Sequence, residues 1–156
     1  MRLFFSIFAG MRLKHKDSLD YGLILSNNGI SRTKFRIQLL NLFFTSKRSL
    51  SIEDILKCFA DSINKVTVYR SLESFERKGL IHKVPDSNNL KRYSLCKEEE
   101  CNPVSHNHNH GHFICYSCNE TFCLQDVKPE ITCLEGFDVK ELRLTLEGYC
   151  RDCTIN

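Results

Sequence analysis

Two cysteine pairs carry the most specific chemical signal in this chain. Cys115-Tyr-Ser-Cys118 and Cys150-Arg-Asp-Cys153 are both C-x2-C motifs, and 31 residues separate them. A C-x2-C turn directs two thiolates at one point, and two such turns complete a tetrahedral zinc site. A redox dithiol is the main alternative, although it needs only one pair. Because ordinary zinc ribbons have a shorter middle segment, we expect folding to bring the two pairs together from separate elements. The sequence therefore predicts structural zinc at Cys115, Cys118, Cys150 and Cys153.

A histidine run, His106-Asn-His-Asn-His-Gly-His112, precedes the first pair. The two-residue period of a strand would place all four imidazoles on one face, as a metal site requires. His110 and His112 lead directly into the β-prone segment Phe113–Cys115, which would fix their geometry. We interpret His106 and His108 instead as part of a polar loop that binds metal only adventitiously.

Composition limits the class of protein. Of 156 residues, 42% are apolar and 26% are charged, as in soluble globular proteins. No apolar run approaches the roughly 18 residues of a membrane-spanning helix. The nine cysteines are not preceded by a convincing export signal, and we interpret residues 1–10 as an extension or an upstream-start artefact. We therefore expect a reduced, cytoplasmic protein whose thiols hold metal.

Charge divides the chain into two unequal parts. Residues 1–92 contain 17 Lys and Arg against 8 Asp and Glu, whereas residues 93–156 contain 5 against 11. A basic part is typical of a protein that binds a polyanion, because each neutralised phosphate releases counterions. A basic part that serves only solubility is the alternative. The division indicates two modules with different partners.

The basic part shows the signals of several helices. Scattered apolar residues over Leu13–Leu25 give a weak helix prediction, and Thr33 is a candidate N-cap for an apolar helix. Ser51-Ile-Glu-Asp54 is a capping-box start for the next helix. Asn64 caps a further helix, which Gly79 ends.

Two β-prone runs, Leu80–Val84 and Leu90–Leu95, follow the last helix and flank a turn-rich segment, which predicts a hairpin. Helices followed by a hairpin give a winged helix-turn-helix, whose last helix contacts bases and phosphates through its N-terminal end. Tyr69 is equally well explained as a half-buried aromatic. The candidate DNA-contacting residues are Lys65, Thr67, Tyr69 and Arg70 on the helix, with Lys83, Lys91 and Arg92 on the hairpin.

An enzymatic zinc site is disfavoured. A zinc hydrolase or deaminase needs an open coordination position and a nearby Glu base, and the sequence contains neither His-x-Glu nor His-Glu-x-x-His. We therefore predict that the protein is not an enzyme.

Several motifs together resemble one known family. Val66-Thr-Val-Tyr-Arg-Ser-Leu72, then His110-Gly-His-Phe-Ile-Cys115-x2-Cys118, then Gly148-Tyr-Cys150-x2-Cys153 resemble the ferric uptake regulator family in kind and in order. The resemblance covers about residues 12 to 153. It implies an α+β fold, with a winged-helix DNA-binding domain at 11–92 and a small α/β dimerisation domain at 93–156. It also implies a homodimeric, metal-dependent repressor that binds a double-stranded DNA operator, with no membrane association.

The resemblance further implies a regulatory metal site between the two domains. Ser94 stands where the iron and peroxide sensors have a carboxylate or similar ligand, and the pattern is closer to the zinc uptake regulator branch. The implied ligands are His82, Cys96, His110 and His112. A thiolate with three imidazoles suits Zn²⁺, whereas iron and manganese favour oxygen-richer ligand sets. Cys123 stands where many members have a glutamate and is either a further ligand or a strand residue facing the core.

Two alternatives to a zinc-responsive repressor stay open. One is an iron-, manganese- or peroxide-responsive regulator of the same family, and the other is a zinc-buffering or protein-interaction module. A second regulatory site found in many members is predicted to be absent or rebuilt, because Leu142 replaces its histidine. Asp126 and Glu130 are then solvated acids.

Overall fold

A computed structural model describes residues 19–59, 63–87, 90–96, 110–129, 135–139 and 142–154. Most of the helices come first along the chain and most of the strands come after them, which is typical of an α+β fold. The helices are α1 (Tyr21–Asn27), α2 (Lys34–Thr45), α3 (Ile52–Cys58), α4 (Lys65–Arg77) and α5 (Arg151–Thr154). The strands are β1 (Leu50–Ser51), β2 (Ile81–Val84), β3 (Arg92–Leu95), β4 (Gly111–Cys115), β5 (Thr121–Leu124) and β6 (Leu144–Gly148).

The predicted N-caps of three helices are confirmed. The Thr33 side chain accepts from Arg36 N, Asn64 Oδ1 accepts from Thr67 N at 2.8 Å, and Ser51 with Asp54 forms a complete capping box. Each cap satisfies an amide that has no partner within its own helix. Of the helix predicted over Leu13–Leu25, residues 13–18 lie outside the described residues. Helix α1 begins after its N-cap Asp20, whose carboxylate accepts from Leu23 N at 3.0 Å.

The predicted hairpin is also confirmed. Strands β2 and β3 pair antiparallel with His82 opposite Ser94, and β1 adds to β3, giving the order β1-β3-β2. Gly79, at φ 72°, lies just past the C-cap of α4 and lets the chain turn into β2. Strand β3 continues to Leu95 within this sheet, three residues beyond the predicted boundary at 92. We call residues 19–95 the N-terminal module and residues 110–154 the C-terminal module.

The C-terminal module is a three-stranded sheet of order β5-β4-β6. Strands β4 and β5 form an antiparallel hairpin, while β6 pairs with β4 in parallel. Residues 116–120 make the turn between β4 and β5, in which Asn119 adopts φ 55° and its amide donates to Cys115 O at 2.9 Å. A left-handed residue at this point is acceptable because asparagine tolerates that conformation.

The apolar core lies in the N-terminal module. The main buried cluster, together with the half-buried residues packed on it, draws only on residues between 21 and 95 among those described. Phe75, Leu39, Leu40 and Ile55 are fully buried at its centre. In the described C-terminal module the buried apolar residues are Ile114 and Cys115. None of the described helices has both the length and the apolar character needed to cross a bilayer.

Candidate metal centres and nucleic-acid interface

The four cysteines of the two C-x2-C motifs converge, and we call them the four-cysteine cluster. Cys115 ends β4, and Cys118 lies in the following turn. Cys150 immediately precedes α5, and Cys153 is the third of the four residues of that helix. Their sulfur atoms all lie within 4.8 Å of one another. Four thiolates around one zinc at ~2.3 Å would be about 3.8 Å apart. The observed Cys118–Cys150 separation of 3.9 Å fits that value.

The backbone around this cluster favours the thiolate form of one cysteine. Hydrogen bonds from the backbone amides of Cys118 and Cys150 lower the pKa of Cys115 to about 6, and the bond from Cys118 has the larger effect. Cys150 N lies 3.3 Å from Cys115 Sγ. Desolvation and contacts with the other thiols raise the pKa of Cys118 to about 12. A bound cation would favour the thiolate form of Cys118, because a metal displaces the proton of a thiol that it binds.

A second cluster lies between the modules and contains His82, His110, His112 and Cys123, whose ligand atoms are also within 4.8 Å of one another. We call it the regulatory cluster. His82 comes from β2, His112 and Cys123 are directly paired across β4 and β5, and His110 immediately precedes β4. The three histidines are buried, and the His110 and His112 rings are 4.8 Å apart between centroids. Three of the four implied ligands, His82, His110 and His112, therefore meet at one point. The sulfur beside them belongs to Cys123 and not to Cys96.

The spacing within the regulatory cluster fits a four-coordinate zinc. Tetrahedral Zn–N bonds of ~2.05 Å place ligand nitrogens about 3.3 Å apart, and a Zn–S bond of ~2.3 Å places sulfur about 3.6 Å from nitrogen. His82 Nε2 lies 3.4 Å from His112 Nε2 and 3.6 Å from Cys123 Sγ. Three imidazoles and a thiolate are also a donor set that suits Zn²⁺.

Cys96 lies outside this group of four but contacts the same imidazole. Its Sγ is 3.5 Å from His82 Nδ1, on the opposite side of the ring from Cys123. One metal ion cannot bind both nitrogens of a single imidazole. In this arrangement Cys123 Sγ lies on the Nε2 side of His82, where His112 also lies. Cys96 lies on the Nδ1 side, where it can orient the His82 ring.

The exposed end of α4 displays the predicted helix residues. Lys65 and Arg70 are exposed, Tyr69 is 40% exposed, and the Lys65 ammonium lies 6.0 Å from the Tyr69 ring centroid. Thr67 is half-buried, and its hydroxyl donates to Asn64 Oδ1 at 2.9 Å, so it supports the cap. Val66, which the sequence did not single out, is 57% exposed beside them.

The hairpin residues divide into two kinds. Lys83 and Lys91 are exposed, and Lys83 Nζ pairs with Glu76 at 2.8 Å, a bond that raises the pKa of Lys83. Arg92 was expected on the DNA-contacting surface, but its side chain is only 10% exposed. It is enclosed by the carboxylates of Asp54, Asp86 and Glu120, so its guanidinium is not displayed to an external phosphate.

Sequence reasoning left the position of Cys123 open and did not identify the carboxylates around Arg92. The first could have been found by extending the hairpin: pairing Phe113 with Phe122 places Cys123 directly across from His112. Asp126 is exposed, and Leu142 is half-buried. His106, His108, Cys101 and Glu130 lie outside the described residues.

Comparison with known proteins agrees with this architecture. The model of the ferric uptake regulator family matches residues 27–147. The ferric uptake regulation protein of Cupriavidus metallidurans is 31% identical over 140 residues, covering 83% of this chain and 92% of that protein. A zinc uptake regulator solved with zinc and DNA has a TM-score of 0.59 at 22% identity, covering 85% of this chain and 89% of the other. The Helicobacter pylori ferric uptake regulator has a TM-score of 0.56 at 18% identity, covering 85% and 87%. At these identities the two solved structures show a shared fold.

Proposed function

This chain belongs to the ferric uptake regulator family, a family of metal-responsive regulators, and we propose that it is a homodimeric, zinc-responsive repressor of metal-uptake genes. The observation that carries the proposal is the regulatory cluster, in which His82 of the N-terminal module meets His110, His112 and Cys123 of the C-terminal part. A metal held there fixes one module relative to the other. An iron-, manganese- or peroxide-responsive regulator is the alternative within the family, because the named relatives include ferric uptake regulation proteins.

The N-terminal module supports binding to double-stranded DNA. Its residues 19–95 contain 13 Lys and Arg against 7 Asp and Glu, and α4 presents Lys65, Tyr69 and Arg70 at its exposed N-terminal end. Helices of this kind enter the major groove, where Arg binds guanine or phosphate and an aromatic ring contacts thymine methyls. Lys83 and Lys91 on the hairpin are placed for contacts with the sugar–phosphate backbone.

The C-terminal module supports a homodimer. Strand β6 lies at the edge of its sheet and exposes Leu146, and the flanking Tyr116 and Tyr149 are 59% and 63% exposed. Among the described strands β6 is paired on one side only, and such an edge with exposed apolar neighbours is a favourable surface for a second copy of the chain. Two copies related by a twofold axis would present two α4 helices to a palindromic operator.

The mechanism follows from the position of His82. This residue lies on β2 of the winged hairpin, whereas the other three ligands lie on β4, β5 and the residue before them. Zinc in the regulatory cluster would supply a four-coordinate link between these elements. His82 then sets the orientation of the hairpin, and with it the orientation of α4. Zinc favours the DNA-binding arrangement only by its higher affinity for that arrangement, and a shift from 1:99 to 99:1 requires about 5.5 kcal/mol.

DNA binding across a metal titration tests the function. The purified full-length protein should retard a duplex carrying the promoter of a zinc-uptake operon, lose that activity with a zinc chelator, and regain it with Zn²⁺. Restoration by Fe²⁺ or Mn²⁺ at lower free concentration than Zn²⁺ would favour the alternative regulator. If no metal produced DNA binding, a zinc-buffering or protein-interaction module would take its place.

The two sulfur candidates give a separate prediction. Cys123→Ser removes the sulfur on the Nε2 side of His82, and we expect zinc affinity at the regulatory cluster to fall about 100-fold, the loss of one strong ligand. Cys96→Ser is the matched control and should cost about 10-fold, because it removes only a group that orients the ring. Competition with a chromophoric chelator measures both affinities. A larger loss in Cys96→Ser than in Cys123→Ser would make Cys96 the ligand.

A further inference from the structure

A cluster of five charged side chains joins the two modules beside the regulatory cluster. We call it the interdomain ion cluster, and its members are Arg48, Arg92, Asp54, Asp86 and Glu120. Arg92 is at its centre. Arg92 Nε donates to Asp86 at 2.5 Å, and Nη1 lies 3.1 Å from Glu120 and 3.5 Å from Asp54. Glu120 is the one member from the C-terminal module, and it also pairs with Arg48.

Main-chain contacts reinforce the same junction. Ser49 N donates to Thr121 O at 3.0 Å, and Thr121 Oγ1 donates to Pro85 O at 2.8 Å. Thr121 is fully buried, and the Glu120 side chain is only 12% exposed. A nearly buried carboxylate that is bound by two guanidinium groups, as Glu120 is by Arg48 and Arg92, keeps a fixed geometry, unlike an exposed surface ion pair. The junction therefore fixes the start of β5 against the N-terminal module.

The junction is close to the regulatory cluster along two strands. Cys123 is three residues after Glu120, about 10 Å along an extended chain. Ser94, the cross-strand neighbour of His82, is two residues after Arg92. Once Glu120 is held by Arg92, the Cys123 and His82 side chains are brought near each other without help from a metal.

We propose that Glu120 is a positioning residue that docks the two modules and so prepares the regulatory cluster to bind metal. The apparent affinity of a site that is assembled for only a fraction of the time falls in proportion to that fraction. Loss of the Glu120 charge should lower the assembled fraction. This proposal rests on the proposed function only for the measurement of DNA affinity. The measurements of zinc affinity and amide exchange do not depend on it.

Glu120→Gln tests this in the full-length protein with the four-cysteine cluster loaded with zinc. The variant keeps the shape of the side chain, and Arg92 retains Asp54 and Asp86, so the N-terminal module keeps its own ion pairs. We expect zinc affinity at the regulatory cluster, measured by chelator competition, to fall about 10-fold, which is ~1.4 kcal/mol. The Ser49 amide should exchange with deuterium faster than in the wild type before regulatory zinc is added. At saturating zinc, DNA affinity should match the wild type.

Two further variants make the result specific. Arg48→Gln removes the more exposed counter-ion of Glu120 and should change zinc affinity in the same direction by less. Glu135→Gln is the control, because Glu135 is an exposed carboxylate of the C-terminal module that lies outside the junction, both metal clusters and β6. Wild-type zinc affinity with wild-type Ser49 exchange in Glu120→Gln would overturn the proposal. Loss of zinc from the four-cysteine cluster in that variant would also overturn it. Glu120 would then stabilise the β4–β5 turn that carries Cys118, and not the docking of the two modules. If the wild type bound no DNA with any metal, the proposed function would fail while the exchange and zinc measurements still decided the role of Glu120.

Discussion

A protein in which His110 and His112 are both replaced by alanine should bind its operator about 100-fold more weakly than the wild type at saturating zinc. The two imidazoles supply half of the regulatory cluster and belong to the C-terminal part of the chain. Without them Cys123 is the one remaining member of the cluster in that part, and one thiolate with His82 is too few ligands to hold zinc tightly. A 100-fold effect corresponds to a coupling free energy of ~2.7 kcal/mol, within the usual range for allosteric proteins. Fluorescence anisotropy of a labelled duplex across a zinc titration measures it.

The control for this prediction comes from the same histidine run. His106→Ala/His108→Ala removes the same number of imidazoles from the part that the sequence assigns to adventitious binding. This variant should bind the operator with the same zinc dependence as the wild type. Equal zinc-dependent binding by the His110→Ala/His112→Ala protein would show that the regulatory cluster does not control DNA binding. The metal content of the four-cysteine cluster should be unchanged in both variants.

Local patterns accounted for the parts of the fold that local interactions decide. Helix α4 could be predicted because Asn64 satisfies its first amides and Val68, Leu72 and Phe75 form one buried stripe. The four-cysteine cluster could be predicted for a similar reason, since a spacing of two residues already sets the geometry of each pair. The two pairs are brought together by the parallel pairing of β4 with β6. This pairing places Gly148, two residues before Cys150, beside Cys115.

Long-range choices were not accessible in the same way. Arg92 is a basic residue on a hairpin, which suggests a phosphate contact, but one of its carboxylate partners, Glu120, lies 28 residues away in the turn before β5. The competition between Cys96 and Cys123 for the regulatory cluster depends on which nitrogen of His82 faces which sulfur. The β4–β5 register places Cys123 across from His112, but the nitrogen of His82 that faces it is set by the docking of the two modules and not by residue spacing.

The four-cysteine cluster should determine whether the C-terminal module folds at all. The described part of this module has few fully buried side chains, among them Thr121 and Cys115, and Cys115 is itself a member of the cluster. A domain with so small a core obtains much of its stability from bound metal. Zinc at this site would tie the end of β4 to the region around α5, a helix with no buried side chain among its described residues.

Cys118→Ser should therefore release the structural zinc and unfold the C-terminal module, while the helical N-terminal module with its own core stays folded. Removing one of four thiolates leaves three, and structural zinc in small domains contributes about 10–16 kcal/mol of apparent binding free energy. We expect metal analysis to show the loss of one zinc per chain, and hydrogen exchange to show loss of protection over 111–124 and 144–148 but not over α2 and α4. Size-exclusion chromatography should show loss of the dimer.

Cys58→Ser is the matched control, because Cys58 is an exposed cysteine on α3 outside both clusters. It should keep the zinc content, amide protection and oligomeric state of the wild type, which separates loss of a ligand from loss of any thiol. A Cys118→Ser protein that retained its zinc and the protection of β4 and β6 would show that three thiolates suffice. The stability of the C-terminal module would then have to come from the surface that β6 offers to a second copy of the chain, and dilution of the wild-type dimer should unfold that module even with zinc in excess.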